Sequence, residues 1–197
     1  MTPRPPDDAA VAKQELRARL LSARRARSRA ERATTAEAIA LHLLAERVVG
    51  GARRVAAYSS MVEEPGTGPL IAALHERGVE VLVPVVDGDV LDWVRHDPDG
   101  PTRRTVLGVE EPTGPRLGPE TIATADVVVV PALAVDHTGR RLGRGAGYYD
   151  RALTGLTVPL IGVVHADELL PSVPAEPHDV PVQMVVTETG VFRVPQE

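Results

Sequence analysis

Residues 127–151 read VVVVPALAVDHTGRRLGRGAGYYDR, and their texture decides the fold. The run 127–131 is unbroken, apolar and of strand length, the pattern of a strand buried on both faces of a parallel sheet. The loop after it, 132–147, carries Gly139, Gly143, Gly145 and Gly147 with Arg140, Arg141 and Arg144 set between them. Residues 148–153 then read as a short helix. Glycines let a backbone approach a ligand closely and adopt positive φ. Successive N–H groups ahead of a helix start form an anion cradle, and arginine forks add paired phosphate contacts. The loop is therefore a phosphate-holding candidate at the carboxyl edge of a sheet. It lacks Gly-Lys-Ser/Thr, so it is not a P-loop, and its glycines fall outside the dinucleotide frame.

The flanking sequence supplies the rest of the sheet. Residues 54–59 and 80–85 read as strands around a helix at 66–77 that Gly78 ends, which makes a strand–helix–strand unit. Residues 90–94 and 159–164 read as further strands, and 184–187 pairs with 191–194 at the end. The span 97–123 is rich in Pro, Gly and Thr and reads as a long irregular excursion with little helix. Before the sheet, 9–28 is an Ala-, Leu- and Arg-rich helix, and 30–49 is a second helix that stops at Gly50 and Gly51. The expected architecture is α/β: a single three-layer, doubly wound, mostly parallel sheet of Rossmann-like kind with an N-terminal helical arm. Residues 1–8 read as a disordered leader and 9–197 as one domain.

Composition narrows the function classes. The 197 residues carry a net charge of -5, which argues against nucleic acid as a partner. The bland reading of Arg24, Arg25, Arg27 and Arg29 is a solvated helix face. There is no cysteine, hence no disulfide, thiolate nucleophile or cysteine metal site. The longest apolar run, 127–135, is too short for a bilayer and is flanked by Asp126 and Asp136. These features predict a cytoplasmic, monomeric protein with no membrane partner. Of the 22 basic residues Lys13 is the sole lysine, which hints at a place that needs a compact point charge. Lys13 and Arg17 stand at i, i+4, and Arg24 extends that line two turns on.

Several side chains near the strand ends could carry chemistry. Asp150, beside bound phosphates, is a magnesium candidate; otherwise it complements the helix dipole. One of Tyr148 and Tyr149 should face a ligand ring while the other packs. Glu63, Glu64 and Thr67 follow the strand that ends at Ser59. Glu64 could bind an amine or a ring edge, and Thr67 could cap the next helix. His178 and Asp179 form a second acidic candidate. None of the six histidines shows zinc spacing, and no serine sits in a nucleophile elbow. Phosphate, cation and carboxylate groups together point to phosphoryl transfer driven by positioning and electrostatics.

With these residues in view, the chain resembles the 5-formyltetrahydrofolate cyclo-ligase (methenyltetrahydrofolate synthetase) family. The resemblance runs from Lys13 to Thr187 through KQELR at 13–17, SSMVEEPGT at 59–67, LGVEEP at 107–112, the central motif at 129–151, and PHDVPVQMVVTE at 177–188. It implies an ATP- and Mg²⁺-dependent closure of 5-formyltetrahydrofolate to 5,10-methenyltetrahydrofolate, with ADP and phosphate released, through phosphorylation of the formyl oxygen. By position, Lys13, Gln14, Glu15, Leu16 and Arg17 would contact ATP, as would Arg141, Leu142, Gly143, Arg144, Gly145, Ala146, Gly147, Tyr148 and Tyr149. Ser59 and Glu64 would hold the folate, bordered by the stretch from Arg144 to Tyr148. Arg144 and Lys13 would be the catalytic cations, and Asp150 and Asp179 the metal ligands. Two positions depart from the family pattern: Ala146, often Lys or Gly, and Gln183, often Asp. Other readings are a sugar-phosphate isomerase or CoA-transferase-like enzyme, which needs no ATP, and a nucleotide- or folate-binding regulator without turnover.

Overall fold

The computed structural model describes residues 8–105, 110–174 and 179–195. The leader expected at 1–8 therefore lies outside the described residues, apart from Asp8, which opens the first helix. Helix α1 spans Asp8–Ala26 and helix α2 spans Arg29–Ala45. The boundary between them falls earlier than the sequence reading placed it, because Ser28 caps α2: its Oγ accepts from Glu31 N, and the Glu31 carboxylate accepts from Ser28 N. The second helix is also shorter than expected. Glu46 takes an extended conformation and splits off a single turn, α3 (Arg47–Gly50).

Strand β1 (Arg54–Ala57), helix α4 (Gly68–Glu76) and strand β2 (Glu80–Asp87) form the expected strand–helix–strand unit. Helix α4 starts two residues later than expected, with Pro69 in its first turn. Thr67 does not cap it; the Thr67 hydroxyl donates to the Tyr58 carbonyl at 2.6 Å. Strand β3 (Val90–Arg95) follows. The excursion at 97–123 is more ordered than the sequence suggested: β4 (Thr102–Arg104) and β5 (Glu110–Pro112) make a separate hairpin, and Pro119–Thr124 forms a 3-10 turn. Then come β6 (Val127–Pro131), β7 (Ala134–Asp136), β8 (Arg141–Leu142), α5 (Tyr148–Leu153), β9 (Leu160–Val163), β10 (Leu169–Leu170), β11 (Met184–Thr187) and β12 (Gly190–Arg193).

Seven strands make one sheet in the order β12-β11-β9-β6-β1-β2-β3. The five inner strands are parallel, and each edge strand is antiparallel to its neighbour. Alternation along β6 explains the two layers of packing. Val127 and Val129 face α2, α3 and α4; Val128 and Val130 face the opposite side, where Trp93, Ile122 and Leu153 lie. All four valines are fully buried, each contributing about 1.5–3 kcal/mol relative to exposure. The second face is covered by α5, by irregular chain and by a small sheet of β10, β7 and β8, so its helical layer is thin. Helix α1 joins neither layer. Leu20, with Leu16 and Leu21, seats it on Leu133, Ala134, Leu142 and Val173, beyond the strand ends. This is the expected N-terminal arm. From β1 the chain winds one way to β2, and from β6 the other way to β9. The switch point lies between β1 and β6, where open α/β sheets bind ligands beyond the carboxyl ends.

Candidate active site

A cavity of about 840 Å³ opens at that switch point. Tyr58 and Ser59, just past β1, form one wall; Pro131, Ala132 and Leu133, at the end of β6, form its base. The loop from Arg141 to Gly147 and the start of α5 run along another side, and α1 crosses above.

The loop holds its shape through anchors outside the cavity. Asp136 accepts from the N–H and hydroxyl of Thr138, from Arg140 N, and through its other oxygen from Val173 N. Burial by itself would raise its pKa, but these hydrogen bonds hold the carboxyl below its ordinary value. Gly139 sits at φ 82° with its face against the Val182 carbonyl, and Val182 N donates back to Gly139 O at 2.9 Å. Gly147, at φ 69°, turns the chain into α5.

The structure brings most of the expected residues together. Lys13 is nearly buried and its Nζ lies 3.0 Å from Asp179 Oδ2. Arg17 Nε donates to Gly143 O at 2.9 Å, tying the arm to the loop. Arg141 is buried and ion-paired with Asp150, so the two members of the loop's own pair lie nine residues apart in sequence. Arg144 Nε donates to Glu64 Oε1 at 3.2 Å, while Glu64 Oε2 accepts from Met61 N at 2.9 Å. Ser59, Leu142, Gly143, Gly145, Ala146, Tyr148 and Tyr149 line the same cavity.

Some expectations part from the geometry. Gln14 and Glu15 are exposed on the outer side of α1, and Leu16 packs into the small cluster around Leu20; none of the three lines the cavity. Arg140 is exposed and away from it. Gln183 also stands elsewhere, its side-chain oxygen accepting from Leu160 N. His178 lies outside the described residues. The two tyrosines both line the cavity but differ in surroundings. Tyr149 has a buried hydroxyl with no partner among the described residues, and burial pushes its pKa well up. Tyr148 keeps part of its ring open, with Arg151 stacked over it.

The expectation of a solvated face for Arg24 fails. Arg24 is 1% exposed, its Nε and Nη2 each donate to Glu168 at 2.7 Å, and Nη2 also reaches Ala132 O at 2.6 Å. Arg25 and Arg29 are exposed as expected, and Arg27 pairs with Asp167. The i, i+4, i+11 stripe of Lys13, Arg17 and Arg24 was visible in the sequence; Glu168, 144 residues away, was not. The hairpin residues Arg103, Arg104 and Glu111 also line the cavity and were hidden inside the span read as irregular.

Among the described residues, seven basic side chains and four carboxylates line this cavity, in a chain whose net charge is -5. Its excess of positive charge, glycine loop and apolar strand-edge wall suit an anionic ligand carrying a flat organic part. Among the described residues, no three His, Asp or Glu side chains cluster as a metal site. The two expected ligands, Asp150 and Asp179, both line the cavity. One or two carboxylates suffice when the remaining ligands are phosphate oxygens and water, as is usual for Mg²⁺. The donor set fits an ion that arrives with a nucleotide.

Comparison with known proteins agrees. The family model described as the 5-formyltetrahydrofolate cyclo-ligase family matches residues 9–188. The chain is 44% identical over 183 residues to the 5-formyltetrahydrofolate cyclo-ligase of Mycolicibacterium smegmatis, covering 89% of this chain and 93% of the relative. The Escherichia coli protein of the same name is 32% identical over 150 residues, 72% of this chain and 81% of that one. Among solved structures, the Aquifex aeolicus 5,10-methenyltetrahydrofolate synthetase superposes with a TM-score of 0.80 at 31% identity over 94% of both chains. Sequence and fold agree: the chain belongs to the 5-formyltetrahydrofolate cyclo-ligase family.

Proposed function

We propose that this protein closes 5-formyltetrahydrofolate to 5,10-methenyltetrahydrofolate at the expense of ATP. The observation that carries the reading is the surplus of basic side chains around a glycine loop at the sheet's switch point, in an otherwise acidic chain. At about 840 Å³ the cavity lies toward the upper end of the roughly 300–1,000 Å³ typical of ligand sites, which leaves room for more than a single small ligand. The family membership speaks against an isomerase or CoA-transferase-like enzyme.

The reaction balances in two steps. The formyl oxygen attacks the γ-phosphorus of ATP and ADP leaves, which turns the formyl carbon into an electrophile. The second folate nitrogen attacks that carbon and loses its proton, and the C–O bond breaks to release inorganic phosphate. Lys13, Arg17 and Arg144 offset charge on the transferring phosphoryl group, and the N–H groups of the loop orient it. The remaining ATP contacts come from 141–149; of the arm residues 13–17, only Lys13 and Arg17 reach the cavity. Glu64, fixed by Met61 N and Arg144, and Ser59 hold the folate against the segment 144–148. Asp150 and Asp179 are the carboxylates that would hold magnesium. Held there, magnesium would supply positive charge to offset that of the phosphates.

The test is direct. Pure protein, Mg·ATP and 5-formyltetrahydrofolate should generate the near-ultraviolet band of methenyltetrahydrofolate together with one phosphate per turnover. ATP binding without that band at micromolar protein would favour a regulator and sink the reading.

A further inference from the structure

Arg24 does more in this site than fasten the arm. Three of its donor contacts are accounted for: Nε and Nη2 on Glu168, and Nη2 on Ala132 O. Nη1 donates to no group among the described residues. It is also absent from the fully sealed nitrogens that lack a partner. What little exposure the side chain keeps therefore lies at Nη1, on the wall of the cavity that Arg24 lines. A guanidinium otherwise engaged or sealed thus keeps one NH₂ edge open, in a side chain that lines the ligand space.

Its place in the row sets what that edge meets. Lys13, Arg17 and Arg24 share one stripe of α1, all three line the cavity, and the stripe runs about 16 Å from first to last. Arg24 is the end nearest β6, and its charge is felt by Tyr58 and Glu64, on the side proposed for the folate. Lys13 and Arg17 lie toward the opposite end of the stripe.

We propose that Arg24 is a further catalytic residue: through Nη1 it donates to the formyl oxygen and to the phosphoryl group that this oxygen receives. Glu168 fixes the direction of that donor and offsets its buried charge. The inference rests on the cyclo-ligase reading. A donor that meets charge only as it develops lowers the barrier without tightening ATP, and removing one such donor costs about 100-fold or more in kcat.

Two variants test this without stranding Glu168 as a lone buried charge. Arg24→Lys keeps a cation for Glu168 but loses the fork that serves Glu168, Ala132 and the ligand together. Arg24→Met with Glu168→Leu removes both charges. Each is assayed by thermal unfolding, by calorimetry with Mg·ATP, and by turnover. The expected result is a folded protein whose Kd for Mg·ATP stays within about threefold while kcat falls about 100-fold. Wild-type kcat in either folded variant overturns the role of Arg24. A raised Kd with unchanged kcat also overturns it and leaves Arg24 as an arm fastener only. No product from the wild-type protein overturns the cyclo-ligase reading itself, and this assignment with it.

Discussion

Arg17 and Gly143 are 126 residues apart in sequence, yet the Arg17 Nε–H donates to the Gly143 carbonyl at 2.9 Å. One hydrogen bond thus ties the N-terminal arm directly to the glycine loop. Its guanidinium also lies within 4 Å of where a side chain on Gly145 would begin, so arm and loop share one surface.

Arg17→Met should therefore act on nucleotide binding more than on folding. The charge-assisted contact is worth about 1.5–3 kcal/mol, which corresponds to roughly a 10- to 100-fold rise in Kd for Mg·ATP. Calorimetry checks this, and circular dichroism should report an unchanged fold. Equal affinity in the variant would mean that the arm does not touch the nucleotide.

The Arg144–Glu64 pair spans the loop and the segment after β1. Arg144→Ala should leave the protein folded, since the side chain is partly exposed, and should cost most of the turnover. Steady-state kinetics with each substrate varied in turn is the measurement. Glu64→Gln should raise KM for the folate with little effect on KM for ATP.

Gly139 and Gly155 make a matched pair for stability. Both have positive φ, but only at Gly139 would a Cβ collide with backbone, at the Val182 carbonyl in the chain leading to β11. Gly155→Ala should cost about 1 kcal/mol from backbone conformation alone. Gly139→Ala adds a steric clash and should cost about 3 kcal/mol or more. Urea unfolding of the two variants decides it, and similar losses would contradict the packing described.

His165 gives a pH signature. It is 1% exposed, and burial, followed by the nearby charges of Arg27 and Arg24, pushes its pKa down to about 4. Because the folded protein resists protonating this ring, its contribution is complete above the unfolded value near 6.5. That contribution is lost as pH falls from 6.5 toward 4, by up to ~3 kcal/mol. Unfolding free energies at pH 7.5 and 5.0 should differ accordingly, and His165→Gln should flatten the difference. A variant with the wild-type slope would assign the pH dependence elsewhere.

Much of this site could be read from the chain because its signals are local. The four valines of β6, the four glycines after them and the helix at Tyr148 are adjacent in sequence, and each follows from short-range chemistry. Lys13 was conspicuous as the single lysine, and its helix spacing to Arg17 gave their shared face. What stayed hidden depends on pairing at long range. The partners of Lys13 and Arg24, Asp179 and Glu168, are 166 and 144 residues away, and no periodicity announces them. Arg24 was misread for that reason, since a stripe of arginine looks solvated until its acid is located. The β4–β5 hairpin escaped because its three-residue strands, TRR and EEP, are too short to show a period and hold one β-former, Thr102, among Arg, Glu and Pro.

The contact between Lys13 and Asp179 also imposes an order on biosynthesis. At about 5–20 residues per second, a ribosome needs on the order of 10 to 30 s to travel from one to the other. During that interval the arm has its cations but neither Glu168 nor Asp179, and α2 still lacks β11, the strand it packs against. The nascent arm is thus a basic helix awaiting its acids, and its long-range ion pairs close only as the last strands are made.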